Sequence, residues 1–456
     1  MAAVDIGSRV EMLVDDSLIA WRQGLDFRLT PPVRRETAIV LDRPWEGEGA
    51  GAYASVLEFG GRFHLYYRAG INTSGDDRDT GQCLCYATSH DGVHWEKPEL
   101  GRVAFGGSRA NNILLRGFEC HNFTPVVDLN PACPPSERIK ATAGYQPEGL
   151  FIYVSADGLS FRRLFDTPAI TVGLLDSQNV LLYDPAANRY RIYSRIYQPA
   201  VPGGPCLRTI LNAESADLEH WSRPVPNRYV QGPQPDELYT NATVTCPGAE
   251  HQLLAFPMRF VPNVNVVEPR RSPGISDAVF MSSRDGRLWD RRFMDSWIGG
   301  GLDRRNWTQR SMMPARGILA TDPDHFSVYV LEHYCWPDAR IVRYELRRHG
   351  FASLHANGRG SLRSLPLLSA GGRLLLNART AATGRIRVGI WDVAAGCFVP
   401  GFAPEDATDW RGDATGRAVD FGGGRLTGFG GRPVELRMEL ELADLYAFQF
   451  DGDTTH

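Results

Sequence analysis

The sequence predicts an all-β protein: a five-bladed β-propeller over residues 1–350, followed by a C-terminal β-sandwich over residues 351–456. Three observations predict this. First, a heptapeptide recurs four times, as Ser89-His-Asp-Gly-Val-His-Trp95, Ser155-Ala-Asp-Gly-Leu-Ser-Phe161, Ser215-Ala-Asp-Leu-Glu-His-Trp221 and Ser283-Arg-Asp-Gly-Arg-Leu-Trp289. Self-similarity at a long period marks a repeat architecture. Second, a fifth unit without the heptapeptide follows, containing Ser327-Val-Tyr-Val-Leu-Glu-His-Tyr334 and Ile341-Val-Arg-Tyr-Glu-Leu346. Third, the texture changes after His349-Gly350 to short alternating strands such as Ile386-Arg-Val-Gly-Ile-Trp391 and Val434-Glu-Leu-Arg-Met-Glu-Leu440, separated by Gly-rich turns. Period-two alternation with one polar face is the pattern of a small antiparallel sandwich.

Each heptapeptide follows a β-like run, for example Leu84-Cys-Tyr-Ala-Thr88 or Leu150-Phe-Ile-Tyr-Val154, and so sits at the turn leaving a strand. Asp-Gly is turn chemistry, because Gly takes positive φ freely and Asp bonds its own backbone. The boxes are read as structural staples that count blades. Within a blade the strands repeat: Tyr53-Ala-Ser-Val-Leu-Glu-Phe59, a Gly-Gly turn, then Arg62-Phe-His-Leu-Tyr-Tyr-Arg68; likewise Asp176 to Tyr183 with Arg189 to Arg195, and Glu237 to Val244 with Gln252 to Arg259. The segment His121 to Asp128 is a less regular counterpart. Residues 9–20 read as a strand with a turn at Asp15-Asp16, expected to pair with the last blade and close the ring, since an open ring would leave sheet edges unpaired.

Composition narrows the function classes. Of 456 residues, 43% are hydrophobic and the formal net charge is −4, so neither a basic surplus for nucleic acid nor an acidic tail is present. The start lacks a basic segment followed by an apolar one, and no stretch approaches a membrane span. The eight cysteines form no Cys-x-x-Cys pair. The expectation is a cytoplasmic protein with reduced thiols, no metal and no cofactor, acting without nucleic acid or membrane.

The boxes, the five units and the trailing β-sandwich resemble the five-bladed propeller glycoside hydrolases of the invertase, levanase and arabinanase kind, and bacterial proteins related to glycosyl hydrolase family 32. The resemblance covers nearly the whole chain. It implies a furanoside or other glycoside held in the central funnel, where the innermost strands begin. The chain departs from those families in lacking a Trp-Met-Asn-Asp-Pro-Asn-Gly segment, an Arg-Asp-Pro triplet and a Glu-Cys pair. Catalytic roles therefore do not carry over residue by residue.

Glycoside cleavage needs one carboxylic acid to protonate the leaving oxygen and a second carboxylate as nucleophile or base. The starts of the innermost strands are where polar groups from all blades would converge. They offer Glu46 and Glu48, then Asp176, then Glu237, with His121, Asn122 and Arg316 at the equivalent places of other blades. The expected catalytic set is Glu237 as acid and Asp176 as nucleophile or base, with Glu48 as a third acid and Asp277 next; the bland reading of each is a solvated loop carboxylate. Asp128 reads as a structural turn residue. Arg68, Arg195 and Arg259 recur at the ends of second strands, either as strand-end ion pairs or as binders of sugar hydroxyls or a charged substituent. Trp45, Tyr53, Tyr239 and Asn241 are expected nearby, the aromatics as stacking platforms. Asn306, Arg310, His333 and Tyr334 add polar groups from the last blades. Three functions fit: a glycosidase, a glycoside phosphorylase on the same fold, and a non-catalytic carbohydrate-binding propeller.

Overall fold

A computed structural model of the chain describes residues 3–47, 51–70, 81–199, 201–233, 235–270, 272–427 and 431–452. Glu48 lies outside the described residues. The chain is all-β, and among the described residues the only helices are short 3₁₀ turns. It divides into two compact units. One comprises Pro32–Asp322 and Phe326–Glu345; the other takes the chain up to Pro31, Pro323–His325 and the C-terminal part from Leu346. The boundary expected at residue 350 thus misses the N-terminal segment. Its strands do not close a ring of blades. Val4–Gly7, Glu11–Met12, Ile19–Gln23 and Asp26–Leu29 pair instead with Leu367–Ser369, Val434–Phe450 and Ala352–Ser364.

The larger unit is built from consecutive antiparallel sheets. The first holds Ala52–Phe59, Arg62–Gly70 and Gln82–Ser89, with Trp95–Glu96 and Ile113–Arg116 along its outer edge. The second holds Thr124–Val127, Ile139–Ala143, Phe151–Ser155 and Arg162–Arg163; the third Val180–Asp184, Arg189–Pro199, Cys206–Ser215 and Val225–Pro226. In the fourth, the ladder is split. Glu237–Leu238, Met258–Val261 and Ile275–Ala278 form one piece, and Val244–Cys246, Ala249–Ala255 and Met281–Ser283 the other. Two features separate the pieces: Pro257, which has no N–H to give the ladder, and Ala242, at φ 41. The fifth holds Met313–Pro314, His325–Glu332 and Arg340–Arg347, and its last strand is Val33–Val40 from the start of the unit. The edge the sequence left open is therefore covered by residues 33–40, not by residues 9–20.

The strand sequences explain the stacking. In Arg62–Gly70 nearly every residue is buried, because each sheet packs against a neighbour on both faces. Alternate side chains go opposite ways. Leu65 and Tyr67 join an apolar cluster with Tyr329, Leu331 and Ile341 of the fifth sheet, while Tyr66 joins Ile139, Ala141 and Tyr153 of the second. Leu181 and Tyr183 pack with Val126 and Ile152 of the second sheet, and Val180 and Leu182 with Leu253, Met281 and Trp289 of the fourth. Period two with both parities apolar is the local code for a strand inside a stack.

The four boxes are the same turn. In each, the Ser Oγ accepts the N–H of the fourth residue at 2.9 Å, and one Asp oxygen accepts the next two amides at 2.7–3.0 Å. The fourth residue is left-handed throughout: Gly92, Gly158, Leu218 and Gly286 have φ 73, 70, 71 and 71. In three boxes its carbonyl accepts the hydroxyl of a tyrosine from the preceding sheet. Tyr66 donates to Gly158 at 2.9 Å, Tyr193 to Gly286 at 2.9 Å, and Tyr329 to Gly92. A Cβ at Gly158 would stand 2.5 Å from the Tyr66 hydroxyl, so the latch requires glycine there. Leu218 has no such tyrosine against it and turns its side chain into the core instead.

In the smaller unit Ala352–Ser364, Leu374–Asp392 and Val434–Phe450 are long strands interrupted by register shifts, and they carry one hydrogen-bonded sheet of ten strands. Leu354, Leu376, Val388, Leu436 and Leu445 are among its buried core.

Candidate active site

The starts of the first strands lie against one another. Arg316 N donates to Ala54 O and Val56 N to Arg316 O, both at 2.8 Å, so the fifth sheet begins beside the first. Gly317 follows at φ 124, where a Cβ would fall 2.2 Å from Val56 O; only glycine permits that approach. Gln178 Nε2 donates to Ala54 O at 2.8 Å, Ser177 Oγ to Tyr239 O at 2.9 Å, and Asn241 Nδ2 to Gln178 O at 3.3 Å. First, third, fourth and fifth sheets thus converge. The second joins through Asn122, whose Nδ2 donates to Leu175 O and Ser177 O.

At this end a group of charged and aromatic side chains meets. The Tyr53 hydroxyl and His121 Nε2 both reach Asp176 O, at 3.4 and 3.0 Å. A carbonyl only accepts, so His121 carries a proton on Nε2; Nδ1 faces Arg68 Nη1 at 3.5 Å and Gln82 Oε1 at 3.0 Å, and it acts as an acceptor once the Gln82 amide is turned to present its NH2. Burial, then the Arg68 charge, lower the His121 pKa to about 3, so the ring is neutral across the physiological range. The Asp176 carboxylate takes Arg195 Nη2 at 2.7 Å, and its side chain is 40% exposed while that of Arg195 is 6% exposed. Arg195 lies over the Tyr239 ring at 4.5 Å and Arg68 over the Tyr53 ring at 4.7 Å. Arg310 gives one N–H to the Tyr239 hydroxyl and another to that of Tyr334, each at 2.9 Å. Arg208 completes the group. It bonds Glu237 and stands 5.1 Å from the Tyr239 ring centre.

The electrostatics follow from that crowding. Burial pushes the Tyr53 phenol up. Burial pushes Tyr239 up as well, but the Arg310 and Arg195 guanidiniums outweigh it and hold its phenol below the ordinary tyrosine value. Arg316 is buried, with its Nε 3.4 Å from Thr243 O; burial alone lowers it to about 10. The backbone is strained here too. Tyr53 and Arg310 have φ 50 and 61, costing of order 1–3 kcal/mol each.

Of the residues expected from sequence, Tyr53, Arg68, His121, Asp176, Arg195, Glu237, Tyr239, Arg310 and Tyr334 are brought together. Others are nearby but occupied. Arg259 and Asp277 form a two-pronged pair at 2.9 and 2.5 Å, and Arg259 Nη1 also donates to Met294 O. Asn122 and Asn241 spend their amides on backbone: Gly144 N donates to Asn122 Oδ1 at 3.0 Å, and Thr243 N to Asn241 Oδ1 at 3.1 Å. They pin the strand starts rather than face a ligand. Trp45 gives its Nε1 to Asn112 Oδ1 at 2.7 Å and sets its ring edge to face with Phe105. Glu46 is buried against Tyr67 and Lys97, which removes it from the acid candidates. Tyr53 and Tyr239 each have an arginine over the ring, so those faces do not stack on sugar. His333 sits between Asp303 and Asp338, at 2.8 and 3.0 Å, in a separate network with Arg340. Asp128 is a buried partner of Lys140 at 2.8 Å and of the Tyr190 hydroxyl.

Sequence reasoning missed Arg208 and Gln82. Both begin or nearly begin third strands, and in an antiparallel sheet third strands start at the end where first strands start. That signal was present in the hairpin pattern. Among the described residues no group of three or more His, Cys, Asp or Glu side chains could hold a metal ion, and no helix is long and apolar enough to cross a membrane.

No protein-family model matches the chain, and no curated protein matches it. Solved structures of glycoside hydrolases are similar to it at low identity. One described as a glycoside hydrolase is 12% identical, with a TM-score of 0.48 over 70% of this chain and 92% of its own. An N-acetylgalactosamine deacetylase from F. plautii, in complex with blood group B trisaccharide, is 14% identical, with a TM-score of 0.42 over 71% of this chain and 96% of its own. A glycoside hydrolase family 43 arabinoxylan arabinofuranohydrolase from Bacillus subtilis, in complex with cellotetraose, is 10% identical, with a TM-score of 0.39 over 90% of this chain and 97% of its own.

Proposed function

We propose that the five sheets are the blades of a five-bladed propeller, that the ten-stranded C-terminal sheet folds over as a β-sandwich, and that the converging strand starts form the active site of a glycosidase acting on a furanosidic bond. The observation that carries this reading is the meeting of Asp176, Glu237, His121 and four arginines at one end of the sheets. Asp176 is the nucleophile or base. Arg195 holds Oδ1, His121 and Tyr53 hold the carbonyl of the same residue, and its exposed carboxylate leaves Oδ2 open toward a substrate. Glu237 is the second carboxylate. Arg208 bonds its Oε2, so the proton of a general acid would sit on Oε1.

The test is turnover of aryl furanosides and pyranosides by wild type, Asp176→Asn and Glu237→Gln. Each substitution is expected to lower kcat by at least about 10³-fold, roughly 4 kcal/mol of transition-state stabilisation, with circular dichroism unchanged. Glu237→Gln should recover on substrates whose leaving group needs no protonation. Near-normal turnover by both variants removes this pair from the chemistry. The same assays separate the other two readings: a phosphorylase requires inorganic phosphate, and a binding propeller holds sugar without turnover.

A further inference from the structure

The charge at the strand starts does not balance. Among the described residues, four guanidiniums, those of Arg68, Arg195, Arg208 and Arg310, stand against Tyr53 and Tyr239. Two carboxylates meet them, Asp176 on Arg195 and Glu237 on Arg208. Arg310 has only the hydroxyls of Tyr239 and Tyr334 as side-chain partners. Arg68 has the His121 carbonyl at 3.3 Å and the neutral His121 ring. Moreover, Arg195 Nε and Nη1 and Arg310 Nε are buried without any acceptor. A buried donor without a partner is costly, and an unpaired buried charge more so. Among the described residues, two guanidiniums without a carboxylate partner stand next to three N–H groups without an acceptor, and such a site is prepared for an anion. The depressed Tyr239 phenol reports the same excess of positive field.

We propose that Arg195 and Arg310, flanking Tyr239, form an oxyanion-binding subsite, with Arg68 adding charge from across Tyr53. Its ligand is a carboxylate, sulfate or phosphate group. The planar guanidinium fork matches such groups with paired N–H bonds, which a neutral sugar hydroxyl does not use. The oxyanion has two possible sources: an acidic substituent on the glycoside itself, or free inorganic phosphate as co-substrate. This deepens the glycosidase reading and rests on it only for the identity of the rest of the ligand.

The experiment is calorimetric titration of the full chain with inorganic phosphate, sulfate and glucuronate, against glucose, in an oxyanion-free buffer at constant ionic strength. At least one of the three anions is expected to bind saturably while glucose does not. Arg310→Gln and Arg195→Gln should each weaken that binding at least about tenfold. Arg310→Lys, which keeps the charge and loses the fork, should fall between. Arg162→Gln, on an exposed outer strand, should bind as wild type. Circular dichroism confirms that each variant is folded, and Arg310→Lys serves if Arg310→Gln is not. No saturable binding of any of the three anions overturns the proposal, and so does affinity unchanged in the folded Arg195 and Arg310 variants. Turnover then assigns the source. Phosphate-dependent cleavage with release of a sugar phosphate identifies the co-substrate; phosphate-independent preference for acidic over neutral glycosides identifies the substituent. Cleavage of neutral glycosides without anion binding would sink the subsite and leave the glycosidase. Anion binding without turnover of any glycoside would sink the glycosidase and leave the subsite.

Discussion

The two ends of the same sheets are built on opposite rules. At the box end the turns are closed circuits. Each Ser and Asp is bonded to amides within a few residues, the left-handed position is glycine in three boxes of four, and the geometry repeats within a few tenths of an ångström. At the other end the sheets differ more from one another. Non-glycine residues hold positive φ, arginines are buried beside tyrosines, and N–H groups lack acceptors. Strain and unmatched polarity persist in a fold only where the surrounding structure enforces them, and they gather where function needs preorganised groups. One end ties neighbouring sheets together, and the other carries the strain and the incomplete bonding.

The largest effect that separates the two ends in stability is their response to pH. His121 is held at about 3 by burial and Arg68, against an ordinary 6.5. Between those values the unfolded chain binds a proton that the folded chain refuses. Its contribution is therefore intact above about pH 6.5 and is lost as pH falls toward 3, by at most about 1.4 kcal/mol per pH unit. Asp157 in the second box moves stability in the same direction but over a lower pH window. Burial raises it, but the Ser160 and Leu159 amides and the Ser155 hydroxyl prevail and bring it to about 2, so its stabilisation disappears only below about pH 4. Urea unfolding from pH 7 to 5 stays above the Asp157 window, while the exposed box residues His94 and His220, each raised by its Asp partner, contribute at the top of it with the opposite sign. His64, lowered to about 4 by burial, shares the window, so the comparison is wild type against His121→Gln. The variant should lose close to one proton's worth of slope. An unchanged slope would mean that the ring is not held neutral by its surroundings.

The contrast also sets how much could be read from the sequence. The box end was legible because its chemistry is local. Ser, Asp and Gly act on neighbours within five residues, and the spacing shows directly. The sheets were legible because alternate apolar residues serve two neighbours. The closing strand was not. Residues 33–40 and 9–20 carry similar β patterns, and which one reaches the last sheet depends on where the N-terminal chain first finds a partner, here Ala352–Ser364 and Val434–Phe450. At the converging end, Asp176, Glu237, His121 and Arg195 were legible as polar residues opening or closing strands. That Asn122 and Asn241 would be spent on backbone was not, because an amide that caps a strand start and one that faces a ligand occupy the same sequence position. Arg208 carries a signal of position alone, two residues into the third strand Cys206–Ser215.

A smaller effect tests the box end directly. Asp91→Ala and Asp285→Ala each remove the acceptor of two amides, those of Val93 and His94 and those of Arg287 and Leu288. The expected loss is about 1–2 kcal/mol, as for a side chain that caps backbone amides. Specific activity of the folded fraction should stay at the wild-type level, because these turns lie at the opposite end of their sheets from Asp176 and Glu237. Full stability with lost activity would reverse the assignment of the two ends.

The smallest effect concerns the joints between sheets. Tyr66→Phe and Tyr193→Phe keep the rings, including the edge-to-face contact of Tyr193 with Trp289 at 5.8 Å, and delete only the hydroxyls that reach Gly158 O and Gly286 O. Each should cost about 1 kcal/mol, the net worth of one hydrogen bond with its acceptor left buried. The two joints lie between different pairs of sheets and share no partner, so the double variant should lose the sum within a few tenths of a kcal/mol. The third box supplies the internal control. Leu218 N still bonds Ser215 Oγ at 2.9 Å, and Trp221 Nε1 donates to Leu218 O at 2.8 Å as Trp95 Nε1 does to Gly92 O at 3.1 Å, so the third box keeps the turn and its indole bond without the tyrosine. Where a tyrosine is available from the preceding sheet, the box uses glycine and an inter-sheet bond; where none is, it uses a leucine and apolar contact. A Tyr66→Phe variant as stable as wild type would show that ring packing alone makes the joint, and the glycine at 158 would then be required by sterics rather than by the bond.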